Sequence, residues 1–370
     1  MSNLNEGTNP ELQACIHCRC PTAKRCTGCL GAPDYDDKPS VSTFYCSFAC
    51  QKADWPGHRT ECRKLQARKS LSRAASLLQD IVYKIRVQTT TLEIKSAHVE
   101  GMTVYLNGPL PNPLCTQQMT PFPTHLFKDQ AILKSALVYT ACMEAMVFLY
   151  SFTKELLRDI CSEIKEITVS VIKHGLRICF GPAHGLKVNM PQSMYHNVYK
   201  VVLKQGEVWA IDPTGAQFGY YEPLCSWKSF QQRISTVDRA NELGYIRHKV
   251  FYNSAKYPVK FMVSKQAEKE ELVKTLEDWL SVWVTLHGGK FNAILQGTEA
   301  TFESTKNEFL KQLSAHVKKS LARMYMPAEI AKRTEEVEAR IAQNQADPIS
   351  RNEFEGFRKF LVSAMGNPSL

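Results

Sequence analysis

The chain has 370 residues, with 44% hydrophobic and 22% charged side chains and a formal net charge of +10. That length suggests about two to three domains, and the balance is that of an ordinary globular protein. Gly and Pro number 18 each, too few for a collagen-like or Pro-rich disordered chain. No apolar run approaches the roughly 18 residues that a bilayer span needs. The most apolar stretch, 141–150, is short and contains Glu144. The polar, acidic N-terminus lacks the basic and apolar regions of a secretory leader. We therefore expect no membrane association and a reducing compartment, nucleus and/or cytoplasm.

Residues 1–14 read as a flexible tail. Eight of the 13 cysteines fall within the first 62 residues, where aliphatic side chains are few. A unit that small cannot bury enough apolar surface to fold unaided, so metal or disulfide staples are required. From about 60 to 87, Leu71, Ala74, Ala75, Leu78, Ile81, Val82 and Ile85 recur at helical spacing. Eight Arg/Lys between 59 and 86 accompany them. They read as the solvated face of a connecting helix rather than a phosphate track, because Tyr83 is the sole aromatic among them. Nucleic acid is accordingly not expected as a partner.

Two strand-like runs follow, VQTTTLEI and GMTVYL, then a Pro-punctuated loop over roughly 107–123. Residues 126–160 read as helix, and 163–180 fits either state. The segment 197–212 reads as a hairpin turning at Lys204-Gln205-Gly206-Glu207. After about 264 the chain turns helical. One helix carries Leu272, Leu276, Leu280 and Trp283 and ends at Gly288-Gly289. Another runs from Phe302 to Leu321, a charged one covers about 328–344, and a last one passes through Phe354, Phe357 and Leu361. The expected fold class is α+β: a small zinc-stapled module (15–62), an α+β domain (63–260) and a helical C-terminal region (261–370).

The cysteine spacing is Cys15-x2-Cys18-x7-Cys26-x2-Cys29-x16-Cys46-x3-Cys50-x7-His58-x3-Cys62. A C-x2-C loop turns both sulfurs toward one ion, and residues four apart on a helix share a face. Eight S/N ligands make two closed tetrahedra, and soft thiolates with one imidazole select zinc. Closed sites leave no coordination position for water, so two structural Zn²⁺ ions are expected. They would lower the net charge to about +7 if all seven sulfurs are thiolates. His17 and Cys20 fall outside the pairing, although Cys20 could compete with Cys18. Spacing alone leaves open which pairs share an ion.

This ligand order, with Phe44-Tyr45-Cys46-Ser47, Cys50-Gln51, Trp55 and His58-Arg59-Thr60-Glu61-Cys62, resembles an MYND-type zinc finger. The resemblance implies cross-bracing, with Cys15, Cys18, Cys46 and Cys50 on one ion and Cys26, Cys29, His58 and Cys62 on the other. It also implies protein–protein interaction, often with Pro-containing peptides, through a groove at Gln51 and Trp55. An indole beside a short polar side chain suits a proline ring and its backbone. The competing reading makes Trp55 a residue of the small core. The Cys29–Cys46 gap is longer than in compact members and predicts an extended loop. By family analogy alone, a role in transcriptional regulation is expected. The SET-type methyltransferase signature is absent from the sequence.

His196 near the start of one hairpin strand and Asp212 at the end of the other can meet. A carboxylate beside an imidazole prepares a general base. With its H-x-V and D-P-T ends, this stretch resembles the transglutaminase-like branch of papain-type cysteine enzymes. That implies a nucleophile before the hairpin, for which Cys142 is best placed and Cys179 a weaker candidate. Against it, Cys142 shares an apolar stripe with Val138, Ala145 and Leu149, and no strong helix start precedes it. The first reading is therefore a zinc-dependent protein-interaction protein. The alternative is a thiol-dependent acyl-transfer or amide-hydrolysing enzyme, using Cys142, His196 and Asp212, to which the finger brings substrate.

Overall fold

The computed structural model describes residues 12–36, 38–109, 118–172, 175–183, 194–256 and 260–346. The helix expected through Phe354 and Leu361 lies outside them. Among the described residues, no single helix is long and apolar enough to cross a membrane.

The finger opens with two short paired strands, β1 (Gln13–Ala14) and β2 (Pro21–Thr22). Helix α1 then runs from Phe48 to Arg86. Ser47 caps it, its side chain accepting from the Cys50 N–H at 3.2 Å. The helix crosses the expected 62/63 boundary without a break. Its first turns carry Cys50, His58 and Cys62, and its later turns bury Leu71, Ala74, Leu78, Ile81 and Ile85 in the main core. Finger and body therefore share one rod.

The expected strand VQTTTLEI does not form. Val87 and Thr89 fold back on the end of α1, where the Val87 N–H reaches Tyr83 O and Thr89 Oγ1 reaches Ile85 O. An isolated bridge from Thr90 to Thr120 is all the pairing that remains there. The strands lie just beyond, at β3 (Ser96–Glu100) and β4 (Thr103–Asn107).

The expected single helix over 126–160 is two, α2 (Gln130–Leu137) and α3 (Cys142–Leu157), bent by 88°. Thr140 sits in the left-handed region at φ +56 and ends the first. A β-branched residue there breaks helical continuity. The ambiguous stretch resolves into β5 (Cys161–Val171) and β6 (Arg177–Gly181).

The hairpin is β7 (Met194–Leu203) and β8 (Val208–Ile211), turning at Gly206, whose φ is +87. β9 (Leu224–Ser226), α4 (Trp227–Gln231), β10 (Ile234–Glu242) and α5 (Tyr245–Lys256) follow. The C-terminal helices are α6 (Lys260–Leu286), α7 (Glu299–Met324) and α8 (Pro327–Ala346).

The larger sheet has order β10-β5-β7-β8-β9, antiparallel throughout. A smaller sheet, β3-β4-β6, pairs β4 with β6 in parallel. Alternation along β7 and β8 sends Tyr199, Val201, Leu203, Trp209 and Ile211 into the main core, and Val198 and Ala210 into a smaller cluster with Phe218 and Phe230. The main core also takes Leu149, Phe152 and Leu156 of α3, Leu272 and Leu276 of α6, and Phe309 and Leu313 of α7. The described parts of the expected 63–260 and 261–370 segments thus pack into one core. The protein is α+β, with its helical C-terminal part wrapped onto the sheet domain.

Candidate functional site

Two clusters of ligand atoms form in the finger. Cys15, Cys18, Cys46 and Cys50 converge at one, and Cys26, Cys29, His58 and Cys62 at the other. This is the cross-braced pairing, which spacing alone left open. The Sγ–Sγ separations are 3.3 Å for Cys18–Cys46, 3.5 Å for Cys46–Cys50 and 3.7 Å for Cys26–Cys62, and Cys29 Sγ lies 3.2 Å from His58 Nε2. Disulfide sulfurs sit about 2.05 Å apart. Sulfurs on one tetrahedral zinc, with Zn–S of about 2.3 Å, sit roughly 3.7 Å apart. The donor set fits zinc, which would close both loops and supply folding energy rather than chemistry.

Cys46 precedes the helix and its Ser47 cap, so the Cys46/Cys50 pair bridges the helix entry instead of sharing a helical face. His58 and Cys62 do share one.

The second cluster is fully buried, whereas Cys18 of the first is exposed. The buried cluster also has an outer layer of polar support. Gln51 Nε2 donates to Cys26 Sγ at 3.4 Å, Gln66 Nε2 donates to Cys62 Sγ at 3.5 Å, and Thr43 Oγ1 lies 3.2 Å from His58 Nδ1. Such partners orient the ligands and tune their basicity. Neither Cys20 nor His17 belongs to a cluster. Trp55 is 37% exposed, its ring edge-on to His58 at 6.3 Å. It is therefore a surface aromatic rather than a core plug, while the Gln51 amide beside it is engaged with a ligand sulfur.

The Cys29–Cys46 loop docks on the body. The Tyr35 ring packs 5.0 Å from Trp209, and its hydroxyl accepts from the Val208 N–H at 3.1 Å. Arg68 of α1 lies over Tyr35 and donates to Glu207 through Nε at 2.8 Å. The basic helix therefore differs from the solvated face expected. Arg68, Arg73 and Arg86 are buried, holding respectively Glu207, Glu299 and Glu144. Each ties α1 to a different part of the chain.

In the body, the break at Thr140 makes Cys142 the first residue of α3. It is half-buried, while Val138, Ala145 and Leu149 are sealed. His196 lies in β7, and Asp212 immediately follows β8. His196 Nε2 donates to Asp212 Oδ1 at 2.9 Å, and both side chains are buried. Asp212 Oδ1 also accepts from the Thr214 N–H at 3.2 Å. Phe218 meets the imidazole edge-on at 4.9 Å, and Gln217 Nε2 lies 3.5 Å from His196 Nδ1.

Burial opposes a Cys142 thiolate, but His196 and then Asn197 outweigh it and hold the thiol below its ordinary value. Asn197 Nδ2 donates to Cys142 Sγ at 3.7 Å. Burial likewise opposes an imidazolium at His196, yet the Asp212 charge and hydrogen bond, reinforced by Cys142, raise its pKa. Cys179 is buried in β6 of the smaller sheet, where it pairs with Tyr105 of β4.

Asn197, Gln217 and Gly215 were not singled out by the sequence pattern. Gly215 is needed because an added Cβ would sit 2.7 Å from Asp212 Oδ2 and 2.9 Å from Tyr220 O. The D-P-T-G run (212–215) held that signal, a glycine placed where backbone must approach a carboxylate.

A comparison with curated proteins and one with solved structures return no match. Residues 15–62, the stretch that carries all eight converging ligands, match the MYND finger family.

Proposed function

We propose that the protein is a thiol-dependent acyl-transfer or amide-hydrolysing enzyme to which its finger brings protein partners. The observation that carries this reading is the buried His196–Asp212 pair set against Cys142 at the start of α3. In the mechanism, Cys142 sulfur attacks an acyl carbon and His196 takes the thiol proton. Asp212 fixes the imidazole through Nε2 and stabilises its charged form. The tetrahedral intermediate collapses to a thioester as His196 returns the proton to the departing amine. Water or a second amine then releases the acyl group. The oxyanion would face first-turn N–H groups of α3, whose N-cap residue Ala141 makes no side-chain cap.

The test is burst acylation by p-nitrophenyl acetate. We expect about one equivalent of nitrophenol and an acetyl group mapped to Cys142, both lost in Cys142→Ala and His196→Ala. Acetyl groups spread over other residues, or an unchanged burst in Cys142→Ala, would overturn the reading.

The protein-interaction role of the finger has its own support in the family match. The exposed Trp55, with Gln51, is the proposed contact for Pro-containing peptides. Trp55→Ala should reduce recovery of partners from immobilised protein, and equal recovery would reject that groove. A reducing compartment, nuclear or cytoplasmic, is proposed from the clustered cysteines, and a role in transcription on family analogy alone.

A further inference from the structure

A cleft of about 1260 Å³ lies between the finger and the body. Its walls come from the Thr27–Gly31 segment of the finger, α1, the β7–β8 turn and the segment before α7. It exceeds the roughly 300–1,000 Å³ of small-molecule sites. Neither Gln51 nor Trp55 lines it, and neither do Cys142, His196 or Asp212.

Its charge is unbalanced. Arg73 is matched by Glu299 at 2.8 Å, and Asp159 accepts from Asn292 at 2.8 Å. Arg63, Lys69, Lys204 and Lys290 also line it, and among the described residues none of the four makes an ion pair with a carboxylate. Lys69 Nζ reaches only the Thr27 carbonyl, at 3.4 Å. Asp159 interacts electrostatically with Lys290 and Lys204, yet five basic side chains against two carboxylates leave the lining with excess positive charge, whose repulsion a partly enclosed cleft screens less than open surface would. An anionic occupant relieves that repulsion.

We propose that this cleft docks an acidic segment of a partner protein, with its carboxylates held by Arg63, Lys69, Lys204 and Lys290. The lining chemistry favours a peptide over nucleic acid. Among the described residues, no aromatic side chain lines the cleft on which a base could stack. The Asp159 and Glu299 carboxylates on its walls oppose a continuous phosphate track. The amides of Gln205 and Gln296, also on its walls, suit the alternating donors and acceptors of an extended peptide backbone. The site is distinct from the thiol site, and nothing in it depends on thiol chemistry.

The experiment uses the full-length, zinc-loaded protein and three fluorescein-labelled probes: a dodecapeptide of alternating Glu and Ala, the same peptide with Gln for Glu, and the single strand dT12. Fluorescence anisotropy is read at 50 and 150 mM salt. The Glu peptide should bind at least tenfold tighter than the Gln peptide and tighter than dT12. The double variant Lys204→Glu/Lys290→Glu should reduce Glu-peptide affinity to the Gln-peptide level. Trp55→Ala and Cys142→Ala should leave that affinity unchanged. Lys204 and Lys290 are exposed. If charge reversal nevertheless lowers solubility, Lys204→Gln/Lys290→Gln should still cost at least threefold. Equal binding of the Glu and Gln peptides, Glu-peptide binding that survives both double variants, or tighter binding of dT12 through the same lysines would each overturn the proposal.

Discussion

The finger and the body solve the same problem by different means. The finger's small core consists largely of the ligand cysteines themselves, with Tyr45 and Leu65. The body buries several dozen apolar side chains from six helices and both of its sheets in one cluster. One is stapled by ions and the other by hydrophobic burial. The difference extends to cysteine chemistry. Seven finger sulfurs sit in four-fold clusters with no position left over, whereas Cys142 faces an imidazole and an amide. α1 joins the two regimes as a single helix, and Tyr35, Arg68 and Glu207 bolt the finger's long loop to the hairpin that carries His196.

Metal removal should break the comparison most sharply. Apparent zinc-binding energies of about 10–16 kcal/mol are folding energy in such modules, so chelation should unfold residues 15–62. Hydrogen exchange should show protection lost over 48–62 and retained over 71–86, where α1 is anchored in the body core. The two sites should also differ. The cluster with exposed Cys18 should release its ion first, which native mass spectrometry would record as a one-zinc intermediate. Simultaneous loss of both ions would contradict the difference in burial.

The finger's ligands were legible in the sequence because metal chemistry fixes residue types at short, regular spacings. Their cross-bracing was legible only through the family resemblance, since spacing does not fix which loops meet in space. The two breaks in the body were missed for a physical reason. Thr140 ends α2 by adopting a positive φ that no local composition announces. Val87–Thr89 are claimed by the end of α1 before they can pair as a strand. The hairpin was visible from its β-rich runs and Gly206. The buried arginines were not, because Glu207, Glu299 and Glu144 are distant in sequence from the helix they hold.

Next in size is the joint itself. Glu207→Ala would leave Arg68, which is 3% exposed, without its carboxylate. Stranding a buried charge costs about 3–5 kcal/mol, read as a lower midpoint in urea unfolding. Glu299, by contrast, is exposed, so water can replace it, and Arg73 keeps the Leu295 and Gly297 carbonyls at 2.8 and 3.1 Å; Glu299→Ala should cost less than half as much.

A smaller effect separates stability from function. Gly215→Ala must displace Asp212 or Tyr220, costing about 1–3 kcal/mol by overpacking. Because it pushes on the carboxylate that orients His196, Cys142 alkylation should slow more than the thermal melt would suggest. Unchanged alkylation would show that Asp212 does not set the imidazole.

The pH dependence follows from the directions of the shifts. The folded His196 pKa is raised, so the stability its charged pair with Asp212 contributes is fully present below about pH 6.5, the unfolded value. It fades as pH rises through the raised folded value. His196→Gln should therefore cost more stability at pH 6 than at high pH, by less than the joint variants cost at either.

The most direct measurement of the central claim is iodoacetamide alkylation of the zinc-loaded protein at pH 6, mapped by mass spectrometry. Cys142, whose thiol is held low by His196 and Asn197, should be modified ahead of exposed Cys20, which lies outside both ligand clusters. The eight zinc ligands should stay unmodified, and His196→Ala should abolish the preference. If Cys20 reacts first, or Cys142 reacts equally without His196, the contrast between caged sulfurs and one armed sulfur is contradicted.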